Sequence, residues 1–267
     1  MVLADDLGRE EGLAARDLAP QRRQRIRAIV ESRGGVRLED LSQALGVSTA
    51  TVRRDVDELA AQGLVRRVHG GAVATERAAE PHFEVKAAEA AEAKDRIAAR
   101  AVGLLAPDET IYLDSGSTTL AVARLLRGWD GLTVVSNSLP IAVELGGQGP
   151  RLILIGGEFR STSQAFVGPL SRHLLEHLHV SKALVGTYAL SLEDGLSTTD
   201  ASEAFTKSLA IDRATEVIVL ADSRKLGTTS FAHAGRLDQV DVLVTDADID
   251  DHIARELASR GITVITA

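Results

Sequence analysis

Apolar positions along the chain follow two different rhythms. From residue 21 to about 62 they recur every three or four residues: Ile26, Ile29 and Val30, then Leu38, Leu41 and Leu45, then Val52, Val56 and Leu59. That period belongs to amphipathic helices with one inward face. It predicts helices over 21–32, 38–45 and 49–62, with Gly34-Gly35 stopping the first, Gly46 allowing a tight turn, and Ser48 capping the third. Beyond Gly63, the apolar Leu64, Val65 and Val68 predict a hairpin with Gly70-Gly71 at its tip.

From residue 94 the rhythm changes. After a helix over 94–105, continuous runs of Val, Ile and Leu appear at 110–113, 132–135, 151–155, 182–185, 216–220, 241–245 and 262–265, with helix-length stretches between them. Such runs suit strands buried on both faces, so the pattern predicts an α/β domain with a mainly parallel sheet. The alanine- and glutamate-rich segment 74–93 reads as a linker. Residues 1–20, with five acids, two arginines and neither the basic start nor the apolar run of a signal peptide, read as a mobile tail. Two domains follow, 21–73 and 94–267.

Composition sharpens this picture. The chain lacks cysteine, which excludes disulfides, thiolate metal sites and thiol nucleophiles and fits a reducing cytoplasm. No apolar run approaches the ~20 residues of a membrane span, so no membrane partner is expected. The net charge of -8 conceals an asymmetry: residues 21–73 hold ten arginines against six acids, and the remainder is acidic. A basic module joined to an acidic one is expected where one part meets a polyanion.

Two short helices around a glycine turn, the second bearing arginines, form the pattern of a helix-turn-helix, whose second helix enters the major groove of DNA by its N-terminal part. The candidate DNA contacts are Ser48, Thr49, Thr51, Arg53 and Arg54 on that helix, Arg22 on the first helix, and Arg66, Arg67 and His69 on a basic wing. Each arginine can pair with a guanine or hold a phosphate, and the sequence leaves both open. Arginines on one helix face are commonly just a solvated face. Three helices in order, a capped third and a basic hairpin together favour double-stranded operator DNA.

The run "RRQRIRAIVESRGGVRLEDLSQALGVSTATVRRDVDELAAQGLVRRVHGGA" resembles the N-terminal domain of the DeoR family of bacterial transcription regulators, whose hallmark is "VS..T.RRD...L...G...R.HGGA". The resemblance implies a winged helix-turn-helix.

In parallel α/β sheets, sites lie at the carboxyl ends of the strands. After "TIYL" comes "DSGSTT", so Asp114, Ser115, Gly116, Ser117, Thr118 and Thr119 form a loop leading into a helix, where free N–H groups and hydroxyls suit a phosphate. Ser and Thr are also ordinary helix caps. Other strand ends supply Asn137, Gly156-Gly157, Asp222 and Lys225, and "STTDASEAFTK" offers Glu203 and Lys207 four residues apart, a spacing common in surface pairs. Together they suit a small anionic polyol.

This half, from about 84 to 245, resembles the DeoR sensor domain, which is similar in fold to ribose-5-phosphate isomerase and the coenzyme A transferases and whose members sense phosphorylated sugars. The resemblance implies that "DSGSTT" is the phosphate loop and that Asn137, Gly156, Gly157, Lys207, Asp222 and Lys225 line the pocket. The chain departs from the family pattern at Thr187 and Tyr188, where smaller or apolar residues are usual, and at Arg224, an additional cation. His173, His177 and His179 read as surface or packing residues, and neither metal nor cofactor is expected.

The expectation is a cytoplasmic, non-enzymatic repressor of sugar-metabolism genes, acting as a dimer or tetramer and modulated by a phosphorylated sugar. Two alternatives stand beside it: a sugar-phosphate isomerase-like enzyme using Asp114, Glu203 or Asp222 as general base, and a DNA-binding protein without a ligand.

Overall fold

A computed structural model describes residues 19–33, 35–61, 64–68, 70–73 and 80–267. The expected tail up to residue 18, His69 and linker residues 74–79 lie outside the described residues. The chain divides into two compact units, Met1–Glu80 and Pro81–Ala267. Among the described residues no helix is long and apolar enough to cross a membrane.

The first unit contains α1 (Ala19–Arg33), β1 (Gly35–Arg37), α2 (Leu38–Leu45), α3 (Thr49–Ala61), β2 (Arg66–Val68) and β3 (Gly71–Val73). Ile26, Val30, Leu38, Leu41, Val52, Val56, Leu59, Val65 and Ala72 close its core, so the three- and four-residue spacing becomes one shared inward face. Gly46 takes the left-handed conformation (φ 62°) that reverses the chain after α2. The Ser48 hydroxyl then accepts the Thr51 N–H at 3.2 Å, capping α3.

The hairpin is antiparallel, with a third strand the periodicity did not disclose: the order is β1-β3-β2. Its register pairs Val68 with Gly71, so Gly71 belongs to β3 and not to the tip. Gly70 has the positive φ of a turn residue (80°), whereas Gly71 answers a different need. A Cβ there would lie 2.5 Å from the Val36 carbonyl oxygen, so β1 and β3 meet this closely only over a glycine.

The second unit begins with α4 (Phe83–Ala88), inside the segment expected to be linker, and α5 (Ala91–Val102), which overlaps the helix expected over 94–105. Its seven-stranded sheet comprises β4 (Thr110–Leu113), β5 (Thr133–Ser136), β6 (Arg151–Leu154), β9 (Val180–Gly186), β12 (Ala214–Leu220), β14 (Val242–Thr245) and β15 (Thr263–Thr266). The order is β15-β14-β12-β9-β4-β5-β6 and every pairing is parallel, so all seven apolar runs fall in one sheet.

Alternate residues of each strand enter opposite cores. Ile218 and Leu220 pack with Ile111, Leu113 and residues of α5, α6 (Ser117–Leu125) and α7 (Leu139–Leu145). Val217 and Val219 pack with Tyr112, Val185 and residues of α8 (Arg172–Leu175), α9 (Ala201–Ile211) and α10 (Asp251–Ser259). Two smaller antiparallel sheets, not expected from the sequence, complete the unit: β7 (Glu158–Arg160) with β8 (Ala165–Val167), and β10 (Ala189–Ser191), β11 (Gly195–Thr198) and β13 (Ala232–Gly235).

The strand order reverses between β4 and β9. From β4 the chain moves through β5 to β6, then returns to β9 on the other side of β4 and continues to β12, β14 and β15. At such a switch point the flanking connections diverge and leave a crevice at the carboxyl ends of the two strands. Asp114 follows β4 there and Gly186 ends β9.

The Gly71 contact gives a first prediction. Gly71→Ala forces the Val36 backbone aside and destabilises the first unit by about 1–3 kcal/mol, the usual range for overpacking. Backbone hydrogen exchange should accelerate across 35–37 and 66–73 while the second unit keeps its protection, and unchanged exchange would refute the close-approach explanation.

Candidate functional site

On the first unit, α3 separates its charges by direction. Asp55 is nearly buried and accepts Arg22 Nε at 2.6 Å, with Arg23 Nε 3.7 Å away. Arg23 also lies 3.7 Å from Glu58, and Asp57 pairs with Arg67 of β2. Arg53 and Arg54 are exposed and make neither ion pair nor hydrogen bond among the described residues. Ser48, Thr49 and Thr51 stand at the start of the same helix, the Ser48 and Thr51 hydroxyls 2.9 Å apart. Arg22 therefore departs from its expected place: its guanidinium joins α1 to α3 instead of facing outward. The Arg66 side chain and His69 lie outside the described residues.

In the second unit the switch-point crevice is organised by a lysine. Lys207, nearly buried on α9, forms an ion pair with Asp114 and donates to the Gly186 carbonyl at 2.7 Å. The Gly186 N–H in turn donates to Asp114 Oδ2 at 3.2 Å. The i, i+4 spacing of Glu203 and Lys207 is not used for a mutual pair. Glu203 accepts Arg160 Nη1 and the Thr198 hydroxyl, both at 3.1 Å.

After Asp114 the loop runs into α6. That helix begins at Gly116 without a side-chain cap, whereas Ser138, Asp200 and Asp250 cap α7, α9 and α10. Leu120, bonding the Gly116 carbonyl at 3.0 Å, makes the first intrahelical bond, so the preceding N–H groups have no acceptor from the helix itself. Thr118 and Thr119 are buried, and the Thr119 hydroxyl donates to the Gly116 carbonyl at 3.0 Å.

One strand along, at the end of β12, Asp222 is buried and receives Arg224 Nε on Oδ1 at 2.8 Å. This bond holds the Arg224 guanidinium above its ordinary pKa. Asp222 Oδ2 accepts no hydrogen bond among the described residues, and Lys225 Nζ stands 3.9 Å from it. Although Lys225 keeps 27% of its side-chain surface, its ammonium is closely surrounded by protein. Desolvation, opposed by Asp222 and reinforced by Lys94, Lys86 and Lys207, lowers its pKa from 10.5 to about 8.

Residues 22–78 match the DeoR-like helix-turn-helix domain, and residues 89–247 match the DeoR C terminal sensor domain. The chain belongs to the DeoR family. It is 37% identical over 249 residues to the HTH-type transcriptional regulator GlpR of Haloferax volcanii, covering 93% of this chain and 98% of that one. The lactose phosphotransferase system repressor of Streptococcus mutans is 32% identical over 240 residues, covering 88% and 95%. Among solved structures, ribose 5 phosphate isomerase A from Neisseria gonorrhoeae matches with a TM-score of 0.39 at 15% identity, covering 51% of this chain and 53% of that one.

The structure draws the residues that match the DeoR pattern into one region unevenly. Asp114 and Lys207 touch, and Lys225 lies within the field of Lys207. Asn137, after β5, accepts the Tyr112 hydroxyl on Oδ1 and donates to the Phe166 carbonyl, both at 3.0 Å, so both ends of its amide are engaged. Burial and the Asp114 charge push the Tyr112 phenol well above its ordinary pKa, consistent with its donor role.

Gly157 is explained by packing, since a Cβ would meet the Val167 carbonyl oxygen at 2.8 Å, whereas Gly156 faces open space. Thr187 is buried, its hydroxyl shared between the carbonyls of Ala189 (2.6 Å) and Ser197 (3.1 Å). His173, His177 and His179 are exposed, His179 meeting the Thr215 hydroxyl at 3.0 Å.

Two cations escaped the sequence reading. Lys94, only 4% exposed, donates to the carbonyls of Lys86 and, at 2.7 Å, Glu89. Desolvation, opposed by the Asp222 charge and reinforced by Arg224, lowers its pKa. Lys86 contributes to the fields at both Lys94 and Lys225.

The lysine crowding gives a prediction with a definite sign. An anion bound beside Lys225 favours its protonated form, so affinity for inorganic phosphate should decline as pH rises above about 8. In the empty protein the unfolded chain binds this proton more tightly, so the lysine's unfavourable contribution to folding persists below pH 8 and fades toward 10.5. Phosphate titrations followed by ³¹P NMR from pH 7 to 10 should show the decline, and Lys225→Met should flatten it. An equally steep decline in Lys225→Met would assign the titration elsewhere.

Proposed function

We propose that the protein is a repressor of sugar-metabolism genes whose hold on operator DNA is set by a phosphorylated sugar in the switch-point crevice. The observation that carries this reading is the pairing, in one chain, of an outward Arg53-Arg54 pair on a capped third helix with Lys86, Lys94 and Lys207 all within the field of Lys225 and an uncapped helix start after Asp114. The first suits the phosphates and base edges of a duplex, the second a compact dianion.

The named relatives support it, since GlpR is a transcriptional regulator and the Streptococcus protein a repressor of a lactose phosphotransferase system. The protein acts in the cytoplasm as a homo-oligomer, because helix-turn-helix regulators read paired half-sites through two-fold symmetry. The candidate DNA contacts are Ser48, Thr49, Thr51, Arg53, Arg54, Arg66, Arg67 and His69. The effector is held by the 114–119 loop with Lys207, Asp222 and Lys225, and Asn137 shapes the wall. Binding is reciprocal: operator DNA weakens the effector by the factor by which the effector weakens DNA.

The test is binding to a fluorescent fragment of the gene's own upstream region at fixed salt, with and without a panel of phosphorylated sugars. Specific binding released by one of them is the expected result. Arg53→Ala or Arg54→Ala should weaken it by about 1–3 kcal/mol where the lost contact is to a base. Wild-type affinity in both variants would refute the DNA face. Turnover of a sugar phosphate that Glu203→Gln abolishes would establish an isomerase in place of a repressor.

A further inference from the structure

Helix α4 is the first element after the boundary between the two units at Glu80, and it has only six residues. Its carbonyl end is held from two directions. Lys94 on α5 donates to the carbonyls of Lys86 and Glu89, and the hydroxyl of Ser117, the first residue of α6, donates to the same Lys86 carbonyl at 3.3 Å. Lys94 Nζ and Ser117 Oγ therefore meet at one oxygen, which sets the ammonium beside the 114–119 segment. At its other end the Phe83 N–H bonds the Thr162 carbonyl at 2.9 Å, and Glu84 accepts Gln164 Nε2 at 2.5 Å.

Lys94 is an unusual means of ending a short helix. A buried ammonium carries a large desolvation penalty, and a backbone turn or a glycine would satisfy the same carbonyls without it. Two of its three N–H donors are accounted for, and it lies within the field of Asp222, whose Oδ2 has no hydrogen-bond partner among the described residues. Lys94 thus stands at the carbonyl end of α4, meeting Ser117 of the 114–119 segment at one shared oxygen.

Resting on the sensor reading above, we propose that Lys94 is an effector-binding residue. It shares its ammonium, as Ser117 shares its hydroxyl, between a phosphate group in the crevice and the carbonyl end of α4. A phosphate drawing on these donors loosens their hold on Lys86 and Glu89. Occupancy of the crevice then alters the first segment beyond the DNA-binding unit.

The experiment uses the full-length protein with inorganic phosphate and glycerol phosphate as probes. Affinity is followed by ³¹P NMR, and amide hydrogen exchange across 83–94 is recorded with and without probe. In the wild type, saturating probe should change exchange in this segment. Lys94→Gln keeps neutral donors for the carbonyls but removes the charge, and it should bind both probes about tenfold or more weakly with the wild-type unfolding temperature, as expected for loss of a charged contact. Ser117→Ala, which leaves Lys94 in place, should lower affinity and α4 protection together and provides the test should Lys94→Gln fail to fold.

Wild-type affinity in Lys94→Gln, or in Ser117→Ala where that variant alone folds, would overturn the proposal and leave the sensor reading standing. A wild-type protein that binds neither probe would overturn both.

Discussion

The buried pair of Lys207 and Asp114 is the contact on which the second unit's site depends. Removing two charges from water offsets most of their attraction, so such a pair adds little net stability. Its effect is directional. Asp114 leaves β4 toward α6 on one face of the sheet, Lys207 comes from α9 on the other, and the Gly186 peptide closes the ring at the end of β9. An apolar pair could fill the same volume but could not fix the orientation of the loop that follows Asp114. The loop proposed to hold the effector is thereby already ordered, which lowers the entropy a ligand would cost it on binding.

The first unit solves the converse problem of keeping cations available beside acids. Asp55, Asp57 and Glu58 on α3 are answered by Arg22, Arg23 and Arg67 from α1 and β2, leaving Arg53 and Arg54 on a face without a carboxylate partner. Intramolecular neutralisation of the acids holds three elements together and removes charge that would repel phosphate. Arg22 could not be assigned to this task from the sequence, because a buried Asp55 33 residues away is visible only in the fold.

What was legible follows the same logic. The inner strands of the parallel sheet could be read because burial on both faces demands unbroken apolar runs, the half-exposed edge strands β6 and β15 because their apolar runs continue nonetheless, and the helices of the first unit because one buried face imposes a period. Strands such as Glu158–Arg160, exposed along most of their length, carry no such signal. Gly71 was legible as a glycine but not as the right one, since a positive φ and a close backbone approach select the same residue. Glu203 and Lys207 show that i, i+4 spacing offers a pair without enforcing it: each found a partner from another element. Lys94 sits in an alanine-rich helical run that reads as solvated, and only the elements packed around it make it a buried cation.

The anion-binding roles proposed for the two units lie in opposite regimes. Exposed arginines act on a polymer whose condensed counterions are released on contact, so the interaction weakens steeply with salt. The lysines proposed to hold the effector would act on a small anion where screening is weaker and desolvation dominates. Desolvation disfavours the Lys225 charge most, and repulsion from Lys94, Lys86 and Lys207 adds to it against the attraction of Asp222. A dianion relieves that repulsion as it forms its own contacts, so part of its affinity comes from an unfavourable empty state. A ligand can shift an equilibrium only by its difference in affinity for the two states. For a switch of this kind, that difference arises where the anion changes the surroundings most, among the crowded lysines at the end of β12 and the start of α5.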